Sequence, residues 1–136
     1  MKTIAIDFDG VIHKYSKGWS DGSIYDEPFD GVFKAISELM KTHSVFILST
    51  RSPWQIKRWL DKHLWTYAPM EVPAGVDDKL YFYGYRAGVI PFWTKFWNKP
   101  YLLGITNKKL PAEIYIDDRA LKFEGSWPDT LELIKL

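Results

Sequence analysis

A chain of 136 residues, 46% of them hydrophobic, fits one domain with a sizeable core. Its 18 basic and 17 acidic residues leave a formal charge of +1, so no global field calls for nucleic acid or a membrane as partner. The absence of Cys excludes disulfides and thiol chemistry and suits a reducing cytoplasm, the expected location, and no apolar run approaches membrane-spanning length.

The opening Met1-Lys2-Thr3 could mimic a secretory n-region, but Asp7 and Asp9 interrupt what should be an apolar stretch, and the expectation is a soluble protein. Ile4-Ala5-Ile6 reads as a strand that stops abruptly at Asp7-Phe8-Asp9-Gly10-Val11. Residues two apart on a strand point to one side, so Asp7 and Asp9 can converge on one ligand while Phe8 turns into the core. Gly10 lets the chain turn away. Acids followed by glycine are also ordinary turn chemistry at a strand end.

The segment from His13 to Pro28, with Gly18, Gly22 and many polar residues, reads as a flap or hairpin at about 11–28 that overhangs the end of this strand. Val32, Phe33, Ile36, Leu39 and Met40 recur at helical spacing, which predicts a helix over Phe29 to Lys41. A crossover then leads to an apolar strand, 44–49, ending in Ser49-Thr50-Arg51. Ser52-Pro53-Trp54-Gln55 supplies an N-cap, a first-turn proline and a capping-box glutamine for a helix over 53–65. The exposed N–H groups and dipole of that helix would lie beside Ser49 and Thr50, a place for a phosphate oxygen.

From Trp65 to Tyr101 the periodicity is poor and the composition unusual. Tyr81, Phe82, Tyr83, Tyr85, Phe92, Trp93, Phe96 and Trp97 crowd there, and no acid occurs between Asp78 and Glu113 while Lys79, Arg86, Lys95, Lys99, Lys108 and Lys109 do. Aromatic platforms on a basic surface suit a nucleobase plus phosphates. The same residues read more simply as large rings filling an irregular layer, with lysines solvating the outside. A strand follows at Tyr101 to Thr106, and another, Glu113 to Ile116, ends in Asp117-Asp118-Arg119. Ser126 as N-cap, Pro128 in the first turn, and Leu131, Leu133 and Ile134 predict a terminal helix. The apolar runs suggest buried parallel strands, and in open parallel sheets the ligand site lies beyond the carboxyl ends of the strands. His13, His43 and His63 lack zinc-ligand spacing; only His13 lies near enough to the first motif to touch a substrate.

Taken together, Asp7-Phe8-Asp9-Gly10-Val11, Ser49 at the end of the second strand, a lysine shortly before the fourth strand, and Asp117-Asp118 resemble the haloacid dehalogenase (HAD) superfamily of phosphohydrolases. The adjacent acid pair resembles that of short bacterial and phage-type members and of polynucleotide-end phosphatases. The resemblance implies an α/β fold, three-layered and Rossmann-like, with a central mostly parallel sheet and, at this length, a minimal cap. It implies a Mg²⁺-dependent phosphatase in which Asp7 attacks phosphorus to form an aspartyl-phosphate and Asp9 serves as acid and base. Ser49 would bind a phosphoryl oxygen, and Lys109, before Leu110-Pro111, would neutralise charge, with Lys108 as the runner-up. The metal would take Asp7, the carbonyl of Asp9, and Asp117 or Asp118, hard oxygen ligands of the kind Mg²⁺ prefers. Gly10, Thr50, Arg51 and Lys108 complete the candidate substrate-binding set, Arg51 either clamping phosphate or serving an ion pair. The implied partner is a phosphorylated small molecule, a nucleotide or a nucleic-acid end; a catalytically idle phosphate-binding module is the alternative.

Overall fold

A computed structural model of the chain describes residues 2–64, 98, 100 and 103–135. Among the described residues four strands, β1 (Thr3–Ile6), β2 (Ser44–Leu48), β3 (Leu103–Thr106) and β4 (Ile114–Ile116), form one sheet in the order β3-β2-β1-β4, and all of their pairings are parallel. Three helices accompany it among the described residues: α1 (Val32–Met40), α2 (Pro53–Leu64) and α3 (Trp127–Ile134). The architecture is therefore α/β with a parallel sheet, compatible with a Rossmann-like arrangement.

Alternation along the strands sorts the core into two faces. Ile4, Ile6, Val45, Ile47, Leu103 and Ile105 pack with Phe33, Ile36 and Met40 of α1 and with Ile56, Trp59 and Leu60 of α2. Ala5 and Phe46 point the other way and meet Leu110, with Leu48 and Ala112 beside them. Both crossover helices thus cover one face, and Phe8, fully buried there, anchors the turn after β1. β4 closes the sheet at one edge, with Ile114, Tyr115 and Ile116 all exposed.

Several boundaries differ from those expected. The first helix begins at Val32 rather than Phe29, because Gly31 adopts the left-handed conformation (φ 76°) and the Phe29 N–H is already bonded to the Ile12 carbonyl at 2.9 Å. The second ends at Leu64. Its capping box does not form; the Gln55 amide instead donates to the Gly22 carbonyl at 2.9 Å. Ser126 does cap α3, accepting from the Asp129 N–H at 3.3 Å. The aromatic segment at 65–101 lies outside the described residues apart from Asn98 and Pro100, and the strand expected from Tyr101 is described from Leu103.

The flap is a compact loop rather than a hairpin. Its ends meet through single bridges, Asp9 to His13 and His13 to Pro28. Inside it, the Tyr25 hydroxyl donates to the Gly18 carbonyl at 2.8 Å and accepts from the Lys17 N–H at 2.7 Å. Ser16 donates its hydroxyl to Asp26 at 2.6 Å, and this bond with its backbone neighbours pulls the Asp26 carboxyl down to about 2. A loop closed on its own side chains in this way keeps a defined shape.

Candidate functional site

The strand order reverses at β1: the chain runs outward through β2 and β3, then returns to place β4 on the other side. Such a switch point opens a crevice at the carboxyl ends of the two strands that flank it. Asp7 leaves β1 and Asp117 leaves β4 at that crevice, held in register by the Asp7 N–H bonded to the Ile116 carbonyl at 2.9 Å. One carboxylate oxygen from each of Asp7, Asp117 and Asp118 lies within 4.8 Å of the others. The Asp7 carboxyl is pushed up from 3.8 to about 6, first by burial and then by the negative charges of Asp117, Asp118 and Asp9, against the pull of the Phe8 N–H at 2.8 Å.

A cavity of about 570 Å³ opens over Asp7 and Asp117, with Asp118 outside its lining. Asp7, Asp9, Ser49, Thr50, Lys109, Asp117 and Arg119 all contribute to its wall, so the ends of β1, β2 and β4 and the turn before β4 meet in one place. Lys109 stands on that wall, whereas Lys108 does not; the Lys108 N–H donates to the Thr106 hydroxyl at 3.0 Å. The Ser49 hydroxyl accepts from the Arg51 N–H at 3.2 Å, leaving its own proton to donate.

Asp9 is oriented differently from Asp7. Its Oδ1 accepts from His13 Nδ1 at 2.9 Å and its Oδ2 from Arg51 Nε at 2.7 Å, and its side chain stands outside the three-acid cluster. The Asp26 N–H donates to His13 Nε2 at 3.0 Å, which makes that nitrogen the acceptor and places the ring proton on Nδ1, toward Asp9. His13 is fully buried among the rings of Phe8, Tyr15, Tyr25 and Trp59.

Arg51 is equally committed. Beyond Asp9, its Nη1 donates to the Gly22 carbonyl at 2.6 Å, and its guanidinium carbon lies 4.5 Å from the ring centroid of Trp19. Among the described residues its Nη2 has no hydrogen-bond partner, and the indole face lies against the buried guanidinium plane. Arg51 thereby ties Asp9 to the flap and is absent from the cavity wall.

Gly10 holds the chain close to the acids. Its φ of +83° belongs to the left-handed region, and a Cβ at that position would collide with the carboxylate of Asp118. Gly10→Ala is expected to cost about 1–2 kcal/mol from the backbone alone, and to drive Asp118 away from Asp7. A chemical denaturation curve checks the first effect.

The raised Asp7 carboxyl carries its own signature. The unfolded chain releases this proton near 3.8 and the folded protein near 6, so between those values the unfolded state binds fewer protons and stability falls as pH rises. In metal-free buffer Asp7→Asn is expected to be more stable than the native protein above pH 6, by about 1–2 kcal/mol after solvent screening. The two should converge below pH 4, as urea titrations across that range would report.

Tyr15 and Trp19 from the flap, and Asn107 after β3, also line the cavity without having been foreseen. The available signal was two large rings in a polar, glycine-containing loop that has no apolar periodicity to employ them. Compared with protein-family models, curated proteins and solved structures, the chain finds no match. No helix among the described residues is long and apolar enough to cross a membrane.

Proposed function

We propose that the chain is a Mg²⁺-dependent phosphomonoester hydrolase of the HAD type, acting through Asp7. The observation that carries this reading is the convergence of Asp7, Asp117 and Asp118 within 4.8 Å at the switch-point crevice, with Ser49 and Lys109 on the wall of the same cavity. A nucleophile, charge neutralisation and a hydroxyl donor are what attack on an anionic phosphate ester requires. The donor set suits a hard divalent cation, since it consists of carboxylate oxygens whose mutual repulsion a cation would relieve. Asp7, Asp117 and Asp118 would hold Mg²⁺, which supplies charge neutralisation for the phosphoryl group and its attacking carboxylate.

On this reading an Asp7 carboxylate oxygen forms a bond to phosphorus as the ester P–O bond breaks, while Ser49 and Lys109 bind the phosphoryl oxygens. Asp9 would have to enter the cycle protonated, and it then gives that proton to the departing oxygen. It then takes one from the water that attacks phosphorus, breaking the Asp7–phosphorus bond and releasing inorganic phosphate. His13 and Arg51 fix the rotamer in which Asp9 does this.

The test is phosphate release from p-nitrophenyl phosphate with and without Mg²⁺; native protein that releases none defeats the proposal. A second reading, an idle phosphate-binding module, is favoured by one observation: both Asp9 oxygens already accept from His13 and Arg51. Phosphate-ester binding without release across a panel of nucleotides and sugar phosphates would select it. A nucleic-acid end as substrate rests on the basic aromatic sequence at 65–101. For that version, Lys95→Glu with Trp97→Ala should reduce turnover of a 3′-phosphorylated oligonucleotide roughly 5-fold or more, stacking and charge together; unchanged turnover removes its support.

A further inference from the structure

We infer that the outer part of the cavity is a subsite for a flat aromatic group on the alcohol side of the substrate, with Trp19 as its stacking platform. This rests on the phosphomonoesterase reading and names the class of ester that the site selects. The cavity, at about 570 Å³, is of the size that encloses a whole small molecule, and a phosphoryl group over the acids fills a minor part of it. Among the other lining residues, beside Leu48, Asn107 and Tyr115, stand two large rings delivered by the flap, Tyr15 and Trp19, with Arg119 lying 5.8 Å from the Tyr15 ring centroid.

Trp19 is both open and fixed. It is 54% exposed, unusual for so large an apolar ring, yet its lower face is held by the Arg51 guanidinium at 4.5 Å and its edge is backed by Gly22, where a Cβ would stand 3.1 Å from the indole. A ring held on one face and at one edge, with about half of the residue's surface still open, loses little freedom when another ring stacks upon it. The same guanidinium bonds Asp9, so one buried side chain sets the spacing between the reacting end and the platform. Tyr15 is held with φ at 59°, a conformation that a bulky residue adopts only when its surroundings impose it, and such strain gathers at ligand sites.

The shared chemistry is a planar π-system joined to a phosphate ester, which a nucleoside monophosphate or a simple aryl phosphate would supply. Calorimetric titration of Asp7→Asn in Mg²⁺ with adenosine 5′-monophosphate, phenyl phosphate and ribose 5-phosphate separates these sources. Both aromatic ligands should bind more tightly than ribose 5-phosphate; a nucleotide that exceeds phenyl phosphate assigns the subsite to a nucleobase, and the reverse assigns it to an aryl ring. Adding Trp19→Ala should weaken the aromatic ligands about 5- to 150-fold and leave ribose 5-phosphate unchanged. Trp19→Phe should retain most of the affinity, and Trp54→Ala, an exposed tryptophan away from the cavity, all of it. Equal affinity for ringed and ringless phosphates, or equal losses for both in Trp19→Ala, overturns the inference. Selective binding of ringed ligands with no turnover by native protein would overturn the phosphatase reading alone.

Discussion

Asp7→Asn is expected to reduce phosphomonoester turnover by at least about 10³-fold, the scale on which loss of a covalent nucleophile is felt. An amide nitrogen or oxygen cannot replace the carboxylate that attacks phosphorus in the proposed mechanism. On the proposed mechanism the loss should fall on kcat at saturating Mg²⁺, because Asp117 and Asp118 would remain to hold the cation and Ser49 and Lys109 remain on the cavity wall. Binding of substrate should therefore stay within a few-fold of native. Steady-state kinetics on p-nitrophenyl phosphate, paired with the stability measurement above pH 6, makes the result readable. A variant that is inactive and unfolded says nothing about mechanism, whereas one that is inactive and more stable than native isolates the chemistry.

Arg51→Met should be the most damaging single change to the fold outside the apolar core. Its side chain is fully buried, and its removal takes from Asp9, 18% exposed, the donor at 2.7 Å and from the flap one of two bonds to the Gly22 carbonyl. Breaking a buried pair by deleting one partner costs about 3–5 kcal/mol, because the other charge is left behind. The Trp19 platform would lose its support in the same step. Combining the change with Asp9→Asn should recover a substantial part of the loss, since no charge then remains unpaired and His13 still donates to the amide oxygen. Urea denaturation of both single variants and the double variant measures the coupling. A cost under about 1 kcal/mol for Arg51→Met would place the pair among the weak surface ion pairs.

The parts of the site that were legible in the sequence are those written in local chemistry. Apolar runs that end in Asp7, Ser49 and Asp117 announce strand termini, and period-2 alternation correctly separates Phe8 from Asp7 and Asp9. Helical spacing from Val32 to Met40 identifies α1, and Ser126 with Pro128 marks the start of α3. Pairings between distant residues were not legible. Nothing around Arg51 tells that its partner is Asp9, 42 positions earlier, rather than a phosphate. Nor does Gln55 announce that it would leave its helix terminus for the Gly22 carbonyl. The flap was recognisable as a loop, but which rings it turns inward depends on left-handed backbone at Tyr15 and Ser20, which residues of those types rarely signal. The sequence puts His13 within reach of a substrate but does not tell that it orients Asp9, because a single histidine reveals its role only when both ring nitrogens have found partners.

The most direct measurement is chemical trapping of the acyl phosphate. Native protein turning over p-nitrophenyl phosphate in Mg²⁺, quenched and reduced with borohydride, should yield homoserine in place of aspartate at position 7 alone. Continued release of phosphate with Asp7 unmodified, or with the reduced residue at position 9, 117 or 118, would contradict the account.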